Sequence, residues 1–159
     1  MGKNIYNIQL NSNNKVSGIA NNSLTYNFDW SVLPDKTAFK VSFSFIAAKN
    51  VLMANTSIAN VEVDIGQTNC YTTSSTSFGA QQNKILGQLY PESVAANNTT
   101  FSYLFAERDN NPPIYIPIRP NDTSITVNIK NYNGALWLDD AGTPLAPNNY
   151  ILTLIFEEI

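Results

Sequence analysis

The segment Tyr150-Ile151-Leu152-Thr153-Leu154-Ile155-Phe156-Glu157 constrains this chain more than any other. Successive side chains of an extended strand point to opposite faces. Tyr150, Leu152, Leu154 and Phe156 therefore share one face, and Ile151 and Ile155 share the other with only Thr153 between them. A half-exposed strand alternates apolar with polar residues, whereas this one is apolar on both sides. It is expected to lie mid-sheet, or to have its second face covered by another subunit. Burying each large side chain of the first face is worth about 1.5–3 kcal/mol, an upper bound because unfolded chains are partly collapsed. That outweighs local propensity, so the upstream chain must form the sheets that receive this strand.

Period-2 patterning recurs upstream. Residues 3–10, with Tyr6, Ile8 and Leu10 on one face, read as a short strand or extended arm, and residues 1–22 as an N-terminal arm and turn region broken by Asn11-Ser12-Asn13-Asn14. Leu24, Tyr26, Phe28 and Trp30 alternate with Thr25, Asn27 and Asp29. After a turn at Pro34-Asp35-Lys36, Phe39, Val41, Phe43 and Phe45 alternate with Lys40, Ser42 and Ser44; these two strands are expected to pair or to cross between sheets. Further strands are expected at 61–65, stopped by Gly66, and at 84–90, stopped by Pro91. Others carry Phe101, Tyr103 and Phe105; Ile114, Ile116 and Ile118, where Pro117 suits a sheet edge; and Ile125, Val127 and Ile129. A turn at Asn131-Tyr132-Asn133-Gly134 and a short pairing at 136–138 precede the final strand.

Two stretches lack this pattern. Residues 67–83, with seven Ser or Thr, read as a long exposed loop; residues 47–54 could form one or two helical turns, limited by Asn50 and Asn55, and nothing in the chain is convincingly helical. Eight principal strands with long polar connections predict an all-β fold in a single domain over residues 1–159. The expected architecture is one antiparallel β-sandwich, an eight-stranded jelly roll, since no Cys and Trp pair stands at immunoglobulin spacing.

Composition narrows the function. The lone cysteine, Cys70, permits no intramolecular disulfide, in keeping with a reducing compartment. No apolar run reaches signal-peptide or membrane-span length, so an unsecreted protein without membrane insertion is expected. The sequons at Asn21, Asn55, Asn97, Asn98 and Asn121 then follow from Asn richness, and Tyr6 stands where N-myristoylation wants Ser or Thr. Nine Lys and Arg, scattered among twelve Asp and Glu, argue against a nucleic-acid groove. Charged residues are 13% of the chain, about half the usual share, and Asn, Ser and Thr fill the polar positions. Such a surface suits Asn-rich turns, and a subunit whose neighbours cover much of it.

With no His, there is no imidazole base and no His-containing metal site. Cys70 has no nearby cation in sequence to lower its pKa and reads as inert. The carboxylates Asp29, Glu62, Asp64, Glu107 and Asp109 sit in turns or on wet strand faces, and no nucleophile is paired with a base, so no catalytic residue is assigned and no enzyme is expected. Asp139-Asp140-Ala141-Gly142 with Asn133 offers oxygen ligands for calcium, but a tight turn wants the same residues and the spacing fits no EF-hand loop; no metal or cofactor is expected. Tyr26, Phe28, Trp30, Phe43 and Phe45 fall on apolar faces and belong to a core, which leaves Tyr132 and Trp137 as ring candidates for a surface contact.

The opening Ile8-Gln9-Leu10-Asn11-Ser12-Asn13-Asn14-Lys15-Val16-Ser17-Gly18, followed by Leu24-Thr25-Tyr26-Asn27-Phe28, resembles the start of single jelly-roll capsid proteins. These are the penton and minor capsid proteins of large double-stranded DNA viruses, virophages and polinton-like viruses. The closing Ser124-Ile125-Thr126-Val127-Asn128-Ile129-Lys130, Asn133-Gly134 and the final strand are similar to that family's ending. Lys15 stands where the family usually has Arg, and the middle third carries no family motif. The resemblance implies a structural subunit of an icosahedral virion, made in the host cytoplasm or nucleus. It implies a homopentamer at the fivefold vertices that contacts the trimeric double jelly-roll major capsid protein. Ile151, Ile155, Tyr132 and Trp137 are the expected subunit-interface residues. The competing expectation is a carbohydrate-binding β-sandwich module, with exposed rings and monomeric behaviour.

Overall fold

The computed structural model describes residues 3–18, 22–35, 37–52, 59–64, 72–76, 79–83, 85–96, 100–107, 113–131 and 149–159. Its strands are β1 (Ile5–Asn11), β2 (Ser23–Asn27), β3 (Phe39–Leu52), β4 (Ala59–Asp64), β5 (Thr72–Thr76), β6 (Gly79–Asn83), β7 (Ile85–Ala96), β8 (Thr100–Glu107), β9 (Ile114–Ile116), β10 (Ser124–Asn131) and β11 (Asn149–Glu158). The helical elements among the described residues are two single 3-10 turns, Ser12–Asn14 and Trp30–Val32.

The fold is all-β, and its antiparallel strands are arranged as a sandwich. One sheet runs β1-β11-β3-β8-β7-β4-β10-β2, with β9 beside the first residues of β3; β5 and β6 form a separate hairpin. Residues from both ends of that path meet in a single core: Ile8 and Leu10, Leu24 and Tyr26, Phe39 to Phe45 at alternate positions, Ile125, Val127 and Ile129, and the inner face of β11. Tyr26 on β2 donates a hydrogen bond to the Tyr150 hydroxyl on β11 at 3.0 Å, so the two layers also meet through a buried polar contact. Burial raises the pKa of both hydroxyls, that of Tyr150 far above the ordinary range.

The final strand lies mid-sheet, between β1 and β3. Leu152 stands opposite Leu10 on one side and Phe45 on the other; Phe156 stands opposite Tyr6 and Val41. Tyr150, Leu152, Leu154 and Phe156 are all buried, as the alternation requires. The Asn-rich break after β1 does more than end a strand. Asn11 accepts from the Asn13 backbone, and the resulting turn buries the Ser12 hydroxyl where it accepts from the Tyr150 N–H at 3.1 Å, fixing the start of β11. Gly18 has φ +112°, and a Cβ there would collide with the Ser23 carbonyl. Its neighbours Val16 and Ser17 exchange backbone hydrogen bonds with Thr25 and so cover part of the open edge of β2.

Several sequence expectations are corrected. β2 stops at Asn27, because the Asp29 carboxylate caps the Ser31 N–H and starts a 3-10 turn; Trp30 reaches the core from that turn and not from a strand. Of the two relations expected for β2 and β3, pairing does not occur, since β2 pairs with β10 and β3 with β11, β8 and β9; the chain crosses between layers instead. Residues 47–52 continue β3 and are not helical, because β8 and β11 provide ladder partners that a weak local helical preference cannot match. β7 runs through Pro91, which pairs with Phe105 on β8; among the described residues the ladder to β4 ends at Leu89, so the missing N–H breaks no described pairing there. Within 67–83 the chain forms the β5-β6 hairpin and is not a plain loop; a Thr-rich strand is favoured by β-branching yet shows no apolar alternation. β9 ends at Ile116, before Pro117, and Ile118 is exposed. Among the described residues the strands number eleven against the eight expected.

Candidate subunit-contact face

The outer side of the β1-β11-β3-β9 layer is built from the residues left over once the core is filled. Antiparallel register sets its rows, with directly opposed side chains about 4.5–5.5 Å apart. Ile151 stands between Asn11 and Ile46, Thr153 between Gln9 and Ser44, Ile155 between Asn7 and Ser42, and Glu157 between Ile5 and Lys40, with Tyr115 beyond Lys40. Ile46 and Ile151 are thus neighbours in one row, 54% and 36% exposed, and Ile155 is half-buried two rows away. Ile5 and Tyr115, 60% and 55% exposed, flank the charged row. Lying mid-sheet satisfies the backbone of β11 but leaves this second face uncovered by the described residues.

The charged row is an ion-pair chain. Glu157 takes Lys3 from the β1 side and Lys40 from β3, each at 3.4 Å, and these two partners hold its carboxyl below the usual glutamate value. Beside it, Glu158 accepts from Tyr6 and Asn4 at 3.0 Å, and the carboxylate raises the Tyr6 hydroxyl pKa.

Of the residues expected at an interface, Ile151 and Ile155 lie together on this face, and Tyr132 and Trp137 lie outside the described residues, as do Cys70, Asp109, Asn133 and the 139–142 turn. Ile46 was missed. Its signal is legible in hindsight: it follows Phe45 directly and breaks the polar phase of β3, as Ile151 does in β11.

Near the end of β11, where Trp30 packs on Phe156, a cleft of about 720 Å³ opens between residues 27–31 and 119–123. Phe28 N–H donates to the Thr123 carbonyl at 3.1 Å, and Arg119 donates to the Leu33 carbonyl at 2.9 Å and pairs with Asp35 at 3.4 Å, which locks the two segments together. Asp29 is the one carboxylate candidate that lines it; hydrogen bonds from Ser31, with the Arg119 charge as a smaller aid, hold its carboxyl below the usual range. Among the described residues no group of three or more Cys, Asp or Glu is placed to hold a metal ion, and no helix is long and apolar enough to cross a membrane. No protein-family model matches the chain, and no curated protein is significantly similar to it.

Proposed function

We propose that this protein is a structural subunit of an icosahedral capsid with a single jelly-roll fold, forming the homopentameric penton at the fivefold vertices. The observation that carries the reading is strand order. A jelly roll puts its first, eighth, third and sixth strands in one sheet and its second, seventh, fourth and fifth in the other. β1-β11-β3-β9 and β2-β10-β4-β7 follow that order, with β8 and the β5-β6 hairpin as additions. The fold alone fixes no function. The likeness of both ends of the chain to single jelly-roll capsid proteins, the low surface charge and the outward-facing Ile46, Ile151 and Ile155 all support a subunit covered by its neighbours. Those neighbours are copies of itself and the major capsid protein, and the site of action is the virion.

The test is the double substitution Ile151→Lys and Ile155→Lys. Two unpaired ammonium groups in a subunit seam cost several kcal/mol of association, so the oligomer is expected to dissociate into folded monomers. Sedimentation gives the mass and circular dichroism the fold. An unchanged oligomer or an unfolded chain would sink the seam, and a wild-type monomer at micromolar concentration would sink the homopentamer.

A further inference from the structure

We infer that the cleft between residues 27–31 and 119–123 is a binding site for a neutral saccharide, an activity separate from assembly. Its volume, about 720 Å³, falls in the range of small-ligand sites, roughly 300–1,000 Å³. Its walls are fixed before any ligand arrives. Arg119 is held by Leu33 and Asp35, the two segments are joined by Phe28 and Thr123, and Asp29 and Asp122 are each oriented by a backbone N–H, that of Ser31 at 2.9 Å and that of Thr123 at 2.6 Å.

The unused hydrogen-bonding capacity identifies the ligand. The side-chain amides of Asn27 and Asn121 make no hydrogen bond among the described residues, and each carries two donors and an acceptor. Trp30, also in the wall, is 3% exposed, and its indole Nε1–H is buried without a hydrogen-bond partner among the described residues. An orphaned donor of that kind is costly and rare, and it belongs to a residue that lines the cleft. Phe28, half-buried and edge-on to Trp30 at 4.8 Å between ring centroids, adds an apolar surface for the C–H face of a sugar ring.

Charge disfavours an anion. The Arg119 guanidinium is engaged by Asp35 and the Leu33 carbonyl, while Asp29 is ionised and Asp122 lies beside it in the wall. An anion meets net repulsion here. A neutral polyol does not, and carboxylates and amides together accept from and donate to vicinal hydroxyls.

The measurement is a 15N TROSY titration of the full chain with maltotriose, cellotriose and triacetylchitotriose, with 3′-sialyllactose and calcium chloride run separately. Trp137→Phe distinguishes the two indole signals. The expected result is saturable movement of the Trp30 indole signal and of the amides of 27–31 and 119–123 with at least one neutral trisaccharide. Asn121→Ala with Asp122→Ala, both at exposed positions, should weaken that binding at least about tenfold while the remaining signals stay in place. The proposal is overturned if no neutral sugar moves these signals, if the movement lies elsewhere, if sialyllactose binds as well as the neutral sugars, or if calcium alone accounts for it. Oligomer mass is unaffected by these outcomes, so the capsid reading stands or falls separately.

Discussion

The outer faces of the two layers follow the same alternation and carry opposite chemistry. On the β2-β10 pair the outward residues include Ser23, Thr25, Asn27, Ser124, Thr126 and Asn128, and two cross-strand pairs are hydrogen-bonded: Ser23 to Asn128 at 2.8 Å and Thr25 to Thr126 at 3.1 Å. On the β3-β11 pair the corresponding positions hold Ile46, Ile151 and Ile155 among hydroxyls, with the ion pairs confined to the last row. The first face is finished by its own side chains and by water. The second gains free energy only when something apolar covers it. Periodicity decides which residues enter the core; the identity of the outward residues decides what lies on the far side.

The largest effect should come from the shared interior. The Phe156 ring lies edge-on to Trp30 and Phe39 at 5.8 and 5.7 Å, so Phe156→Ala should cost about 3–5 kcal/mol in urea unfolding, while Ile155→Ala, one residue away on the outer face, should cost the monomer less than about 1 kcal/mol. Both layers should still unfold in one transition; two resolved transitions would show that the faces belong to separately stable units.

A smaller effect tests the polar link between layers. Tyr150→Phe removes the hydrogen bond from Tyr26 and should cost about 1 kcal/mol at neutral pH. Because burial raises both hydroxyls above the ordinary tyrosine value of 10.0, the unfolded chain releases its protons first. Stability from this pair is full below that value and falls as pH rises beyond it. Thermal melts across the alkaline limb should therefore be flatter for Tyr150→Phe than for the wild type, and equal slopes would remove the tyrosine pair as their cause.

The smallest effect belongs to the charged row. With its pKa lowered from 4.5 by Lys3 and Lys40, Glu157 contributes stability above that value and loses it as pH falls through the folded-state pKa. Glu157→Gln should flatten the acid limb slightly, and the difference should shrink in high salt because both lysines are well exposed. A difference that persists in molar salt would mean that the row is shielded, as it would be beneath a neighbouring subunit.

Strands with a wet side were legible one by one: the alternations at Leu24 and Tyr26, at 39–45 and at 125–129 placed their residues in the core without any knowledge of partners. Pairing was not legible. Residues 47–52 carry no alternation, and only the neighbouring β8 and β11 make them a strand; Pro91 reads as a stop, and only the ladder to β8 carries the strand through it. Ile151 and Ile155 were visible as a second apolar face, yet their companion Ile46 emerged only when register set it in the row of Ile151. The cleft was invisible because its two walls lie about ninety residues apart in sequence and touch through backbone groups, which leave no trace in side-chain pattern.

The placement of β11 between β1 and β3 also sets a clock. β3 ends about a hundred residues before β11 begins, so at roughly 5–20 residues per second the ribosome takes roughly 5–20 s to deliver the strand that joins them. Local hairpins close in roughly 1–10 μs. For nearly all of that interval β1 and β3 are in existence with the edges meant for β11 open, and open edges recruit strands from other chains. Synthesis speed, more than chain diffusion, governs how long each nascent molecule remains able to pair with the wrong partner.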